Sequence, residues 1–189
     1  MSSKTAIRRE IRAARDALGS HERSQTSQVI CNRLLALPAI RDAKSWFIYV
    51  STGSEVQTHG LISTLLARGN IVTVPLVTGP EQMVPCRIQS LEDLHPGEFG
   101  ILAPRTRSAV SAAHSEFIEV CVCPAVAFTE RGERLGWGRG FFDRYLAAHP
   151  PELAIGLAYE CQIVPQLPQE IHDRPMDFLI TEKRSIRCR

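Results

Sequence analysis

The chain has 189 residues, of which 44% are hydrophobic and 22% charged, and its formal net charge is +2. That is an ordinary make-up for a soluble globular protein able to bury a core, and the charge gives no reason of its own to expect nucleic acid. No apolar run is long enough for a membrane span and the first residues lack a signal peptide's apolar region, so one domain over 1–189, in the cytoplasm, is expected.

Lys4 onward opens a helix over 3–18. Ile7, Ile11, Ala14 and Leu18 recur as an apolar stripe, and Lys4, Arg8, Arg12 and Arg15 form a basic stripe at similar spacing. A basic stripe is compatible with a solvated face, an RNA-facing helix, or an arm folded over a phosphate. Lys4 and Arg8 stand one turn apart and can reach one anion. Gly19 and Ser20 break this helix, and a second follows over 21–36, with Val29, Ile30, Leu34 and Leu37 as its buried face and Pro38 helping to end it.

Ser45–Val50 is a continuous apolar and aromatic run suited to burial on both faces of a sheet. A polar loop at 51–58, a helix from His59 to Arg68 and a strand over Ile71–Pro75 complete a βαβ unit. Ligands of open α/β sheets lie outside the carboxyl ends of strands, which favours the 51–58 loop, where Glu55 is the one ionisable residue. Met83–Ile88 reads as a short strand, Leu94–Arg105 as loop, and Ser108–Ser115 as a helical turn or a flexible segment. Phe117–Cys123 is a further strand. The six cysteines form no C-x-x-C pair. Cys121 and Cys123 share one strand face, which suits small apolar filler in a reducing compartment better than a metal or redox pair.

Arg134-Leu-Gly-Trp-Gly-Arg-Gly-Phe-Phe-Asp143 then follows a strand and opens a helix over Phe141–Ala148. Alternating glycines at 136, 138 and 140 let backbone N–H groups approach an oxygen-rich ligand, and the arginines supply forked donors for phosphate oxygens. Asp143 is suited to a metal ion beside those phosphates. A tight turn would also use such glycines. The segment is not a Walker loop, and its last glycine spacing departs from the dinucleotide fingerprint. Leu153–Ala158 and Phe178–Thr181 close the series of strands, with a basic, loose tail over Lys183–Arg189. His172 beside Asp173 lacks a serine or cysteine motif to serve.

Taken together, these motifs resemble the 5-formyltetrahydrofolate cyclo-ligase family (methenyltetrahydrofolate synthetases). The resemblance rests on Lys4-x-x-x-Arg8, on Tyr49-Val-Ser-x-x-x-Glu55-Val-x-Thr58, and on the run from Val122 through Arg134-Leu-Gly-x-Gly-x-Gly-x-x-Asp143-Arg144. The ending His172-Asp173…Asp177-x-x-Ile180-Thr181 completes it. It implies an α/β fold, a three-layer α/β/α sandwich with a mostly parallel sheet, similar to sugar-phosphate isomerases and CoA transferases. It implies ATP- and Mg²⁺-dependent conversion of 5-formyltetrahydrofolate to 5,10-methenyltetrahydrofolate. The formyl oxygen takes the γ-phosphate, N10 closes the ring, and ADP and phosphate leave. It places nucleotide contacts on Lys4, Arg8, Arg134, Leu135, Gly136, Trp137, Gly138, Arg139, Gly140, Phe141 and Phe142, with Arg134 and Arg139 as the catalytic pair. It places folate contacts on Val50, Glu55, Trp137 and Phe141, and metal contacts on Asp143 and Asp177. The expected partner is the folate substrate alone, without nucleic acid or membrane, and the chain is read as a monomer.

Two departures stand out. Many relatives carry two tyrosines where this chain has Phe141-Phe142, and a carboxylate in Gly-Ile-x-Glu-Pro where it has Gly100-Ile-Leu-Ala103-Pro104. Both leave open a paralogous ATP-using ligase with another formyl or carboxyl substrate. A nucleotide- or RNA-binding module using the basic helix is the reading from a different class.

Overall fold

The computed structural model describes residues 3–97, 100–104, 117–168 and 174–188. The first helix, α1 (Lys4–Asp16), starts where the Ser3 hydroxyl accepts from the Ala6 N–H at 3.2 Å. It is followed by α2 (Ser20–Leu35), β1 (Ser45–Ile48), α3 (His59–Ala67), β2 (Ile71–Val77) and β3 (Met83–Ile88). Two short strands, β4 (Leu94–Pro96) and β5 (Leu102–Pro104), precede β6 (Val120–Cys123). Then come β7 (Ala127–Phe128), β8 (Arg134–Leu135), α4 (Phe141–Ala148), β9 (Leu153–Leu157), β10 (Phe178–Ile180) and β11 (Ser185–Arg187).

The central sheet has seven strands in the order β11-β10-β9-β6-β1-β2-β3. Its five inner strands run parallel, and an antiparallel strand flanks them on each side. All four residues of β1 and of β6 are buried, as continuous apolar strands in a covered sheet must be. Trp46 and Phe47 point to opposite faces. Phe47 stacks on Phe142 of α4 at a centroid distance of 5.6 Å and packs against Tyr145 at 4.7 Å. Trp46 lies with Leu35, Leu37 and Leu65 around the ends of α2 and α3. Helices therefore cover both faces, giving the three layers. The crossover from β1 through α3 leads to one side of β1, and that from β6 through α4 leads to the other. The carboxyl ends of β1 and β6 are thus the switch point at which doubly wound sheets open a crevice.

Several expectations are corrected. The tail is not loose: β11 pairs antiparallel with β10. Thr181 Oγ1 accepts from the N–H groups of Lys183 at 3.2 Å and Arg184 at 3.1 Å, forming a hydroxyl-bonded turn. The 94–104 stretch contains a hairpin, β4 with β5, whose prolines sit in a two-stranded ribbon that tolerates missing N–H groups. Val29 is exposed, because α2 buries Ser27, Ile30, Cys31 and Leu34 instead. In α1, Ala14 is exposed while Arg15 is only 2% exposed. The helix docks on the β7–β8 hairpin through Ile7 and Ile11, which meet Val126, Ala127 and Leu135, and this rolls Arg15 inward. Cys121 and Cys123 are fully buried, as filler would be. Ser108–Ser115, His172 and Asp173 lie outside the described residues. No helix among the described residues is long and apolar enough to cross a membrane.

Candidate active site

Glu55 is fixed by the loop that leaves β1. Thr58 Oγ1 donates to the Tyr49 carbonyl at 2.7 Å and accepts from the Ser51 N–H at 3.0 Å, and Ser51 Oγ accepts from the Thr58 N–H at 3.0 Å. Tyr49 spans the loop to the Val56 carbonyl at 2.9 Å. Tyr159, just beyond β9, donates its hydroxyl to the Glu55 carbonyl at 3.2 Å and meets Ser27 of α2 at 3.0 Å. These bonds pin the backbone of Glu55, whose side chain points across the crevice and is covered; the residue is 6% exposed. Oε2 accepts from the Thr52 N–H at 2.9 Å and Oε1 from the Trp137 indole N–H at 2.9 Å. Burial pushes the Glu55 carboxyl above its ordinary 4.5, while the Thr52 and Trp137 N–H groups and the Arg15 guanidinium pull it down.

The glycine segment arrives from the end of β6 by way of the β7–β8 hairpin. Gln162 holds its approach by donating from Nε2 to the carbonyls of Ala125 and Val126, each at 3.0 Å. Arg8 donates from Nε to the Gly136 carbonyl at 2.9 Å, joining α1 to the segment. Gly138 has φ +100°, and a side chain there would start 3.4 Å from the Arg8 guanidinium. Gly140, at φ +67°, caps α4 without any side-chain bond, and a Cβ at this position would lie 2.8 Å from Arg144 Nη1. Glycine is therefore favoured by backbone conformation at both 138 and 140. The amino end of α4 is left open at the crevice, an arrangement that suits an anion.

Arg134 is almost wholly covered and pairs through Nη2 with Asp143 Oδ1. Its Nη1 points to the Pro124 carbonyl at 3.5 Å, and its buried Nε has no partner among the described residues. Arg15 donates from Nε to Ser54 Oγ at 3.0 Å, and Ser54 in turn donates to Asp16. The guanidinium carbons of Arg12 and Arg15 each stand 5.2 Å from the centroid of the Trp137 ring, within cation–π range. Arg144 donates to the carbonyls of Arg139 at 2.8 Å and Glu81 at 3.0 Å, and covers the Phe141 ring at 5.5 Å. The crevice is thus strongly cationic along α1 and the glycine segment, with one buried carboxylate, Glu55, on its β1 side.

Of the residues singled out in the sequence, Arg8, Glu55, Arg134, Gly136, Trp137, Gly138, Gly140 and Asp143 come together here. Lys4 opens the same helix, and Arg139 and Phe141 lie at the α4 end of the segment. Four others take different places. Phe142 is 9% exposed and stacked on Phe47, so it is core and can offer a ligand only its backbone. Leu135 packs with Ile11, Val126 and Ala127, and Val50 is buried at the end of β1. Asp177 is not brought to Asp143. Its Oδ2 accepts from the Ala154 N–H at 2.8 Å near the amino end of β9, away from the carboxyl ends that form the crevice. No group of three or more His, Cys, Asp or Glu suited to a metal occurs among the described residues.

Sequence reasoning missed Ser27, Ser54, Tyr159 and Gln162, and took Arg15 only as one member of a basic stripe. Tyr159 and Gln162 carried a usable signal, because they follow the carboxyl end of a strand. Ser27 and Ser54 carried none, since a lone serine in a helix or loop has no pattern that marks its partner.

A family model described as the 5-formyltetrahydrofolate cyclo-ligase family matches residues 1–182. The chain is 32% identical over 179 residues to a 5-formyltetrahydrofolate cyclo-ligase of Haemophilus influenzae, covering 92% of this chain and 95% of that one. It resembles the solved structure of the Aquifex aeolicus 5,10-methenyltetrahydrofolate synthetase with a TM-score of 0.81 and 30% identity, across 98% of this chain and 93% of that chain. A Mycoplasma pneumoniae 5,10-methenyltetrahydrofolate synthetase shares the fold, with a TM-score of 0.73 at 23% identity over 96% of this chain and 99% of that one.

Proposed function

This chain belongs to the 5-formyltetrahydrofolate cyclo-ligase family, and on that footing we propose that the crevice between β1 and β6 binds ATP and 5-formyltetrahydrofolate side by side. The activity is the ATP-dependent conversion of 5-formyltetrahydrofolate to 5,10-methenyltetrahydrofolate. The observation that carries the two-ligand reading is the joining of α1, the glycine segment and the Glu55 loop by two bonds, Arg8 to Gly136 and Trp137 to Glu55.

In this reading, the triphosphate lies against the open amino end of α4, with Lys4, Arg8, Arg134 and Arg139 around it. ATP supplies a phosphate that turns the formyl oxygen, otherwise a poor leaving group, into a good one. Arg134, already desolvated and oriented by Asp143, is placed to stabilise charge that develops on the transferring group. Magnesium fits a set of one carboxylate completed by phosphate oxygens. Asp143 offers such a carboxylate in the first turn of α4, whereas Asp177 is turned to Ala154. Glu55 accepts the paired N–H donors of the pterin, and Phe141 lends a flat apolar surface. The protein's work is positioning and exclusion of water. The reading includes one domain acting as a cytoplasmic monomer.

Purified protein given ATP, Mg²⁺ and 5-formyltetrahydrofolate is expected to accumulate the methenyl product, read as rising absorbance. ATP binding without that rise would move the assignment to a ligase acting on a different formyl or carboxyl substrate.

A further inference from the structure

Glu55 bears the carboxylate assigned above to the pterin, yet the structure shows it already taken. Its Oε1 accepts from Trp137 at 2.9 Å, its Oε2 from Thr52 at 2.9 Å, and the residue is only 6% exposed. The side chain lying on it, Trp137, is 43% exposed. Trp137 is thus the lid of a small buried acceptor, reached from a segment 82 positions further along the chain.

The lid is held and hinged by identifiable parts. Arg12 and Arg15 sit over the indole at 5.2 Å each, and Arg15 is anchored by Ser54. Trp137 stands between Gly136 and Gly138, and Gly138 has φ +100°, so the backbone on both sides can turn without side-chain hindrance. An indole N–H offers a carboxylate the same chemistry as a pterin N–H: a single planar nitrogen donor carried on a flat aromatic body.

We propose that Trp137 is a substrate-gating residue, a latch that occupies Glu55 in the free protein and is displaced when the paired N–H donors of the folate ring take the carboxylate. The proposal rests on the reading of Glu55 as the pterin acceptor. Part of the folate binding energy is then used to break the Trp137–Glu55 bond and the stacking on Arg12 and Arg15. A phenylalanine at 137 keeps an aromatic ring between the glycines and removes the competing donor. Loss of one hydrogen bond to a charged acceptor corresponds to a change of roughly 10- to 100-fold in affinity.

The test measures binding of 5-formyltetrahydrofolate, without ATP, to wild type, Trp137→Phe and Glu55→Gln. Alongside it, the two indole N–H resonances are followed by ¹H–¹⁵N NMR, the chain having Trp46 and Trp137 as its two tryptophans. Trp46 is buried in the core and serves as the internal reference. The expected result is binding at least about tenfold tighter by Trp137→Phe, and a Trp137 indole signal that leaves its bonded position and exchanges faster with water as wild type saturates. If folate binds wild type and Glu55→Gln weakens it, but Trp137→Phe binds no tighter or the indole signal stays in place, the latch is wrong and the folate assignment stands. If folate binds none of the three, or binds Glu55→Gln as well as wild type, the assignment of Glu55 falls and the latch falls with it.

Discussion

Arg8 and Gly136 are 128 positions apart and joined by a 2.9 Å bond from Nε to the carbonyl oxygen. This contact makes the amino-terminal helix a wall of the crevice. It leaves the two terminal nitrogens of Arg8 beside Gly138, where a phosphate would lie.

Arg8→Ala is therefore expected to raise the KM for ATP by roughly 10- to 100-fold, the range for loss of a charge-assisted hydrogen bond. The KM for folate should change much less. Arg8→Lys should recover only part of the loss, because an ammonium cannot bond the Gly136 carbonyl and a phosphate in the fork geometry of guanidinium. Steady-state kinetics with each substrate varied in turn would check this.

The adjacent phenylalanines should separate cleanly. Phe142→Ala removes a ring stacked on Phe47 and is expected to cost about 3–5 kcal/mol of stability, read by denaturant unfolding. Phe141 is half-buried under Arg144 at the rim, so Phe141→Ala should leave the unfolding midpoint nearly unchanged and raise the folate KM. The tyrosine-to-phenylalanine departure at 142 consequently lies in the core, and only the one at 141 lies where a phenolic hydroxyl could meet substrate.

Much of this was legible in the sequence, because it depends on local pattern. The βαβ unit followed from one continuous apolar run, a polar loop and a helix, and the glycine segment announced its need for close backbone approach. Arg15 was not legible. Helical spacing places it with Lys4, Arg8 and Arg12, and only the docking of Ile7 and Ile11 on the β7–β8 hairpin turns it towards Ser54 and Trp137. Asp177 illustrates the converse: a carboxylate at the right place in a motif, but bonded to the Ala154 amide. The β10–β11 hairpin was hidden because its turn is made by a threonine hydroxyl inside a charged stretch that contains no glycine or proline.

Glu55 gives a pH dependence with a definite sign. Burial holds its carboxyl above 4.5, so it protonates on acidification before an exposed glutamate would. Protonation removes an acceptor and adds a donor that faces the pterin N–H groups. Folate affinity should accordingly fall as pH drops through a value above 4.5 and be regained as pH rises. Arg15 stabilises the ionised form, so Arg15→Gln should move that fall to higher pH. Glu55→Gln should abolish it and raise the folate KM more than the ATP KM. Binding titrations across pH, with circular dichroism to confirm folding at each point, would check the direction.

Asp143→Asn keeps the shape of the side chain and removes its charge. It is expected to depress turnover by at least about tenfold and to raise the Mg²⁺ concentration needed for half-maximal rate, while far-ultraviolet circular dichroism stays as in wild type. An Mg²⁺ dependence equal to that of wild type would remove Asp143 from the metal role.

The central claim is that one crevice holds both ligands and couples their chemistry. Its most direct test follows methenyl absorbance and ADP release in the same progress curve, with each substrate also omitted in turn. The account predicts one ADP for each methenyl product formed, and neither without both substrates present. ADP released at full rate in the absence of 5-formyltetrahydrofolate, or methenyl product formed without ATP, would contradict it.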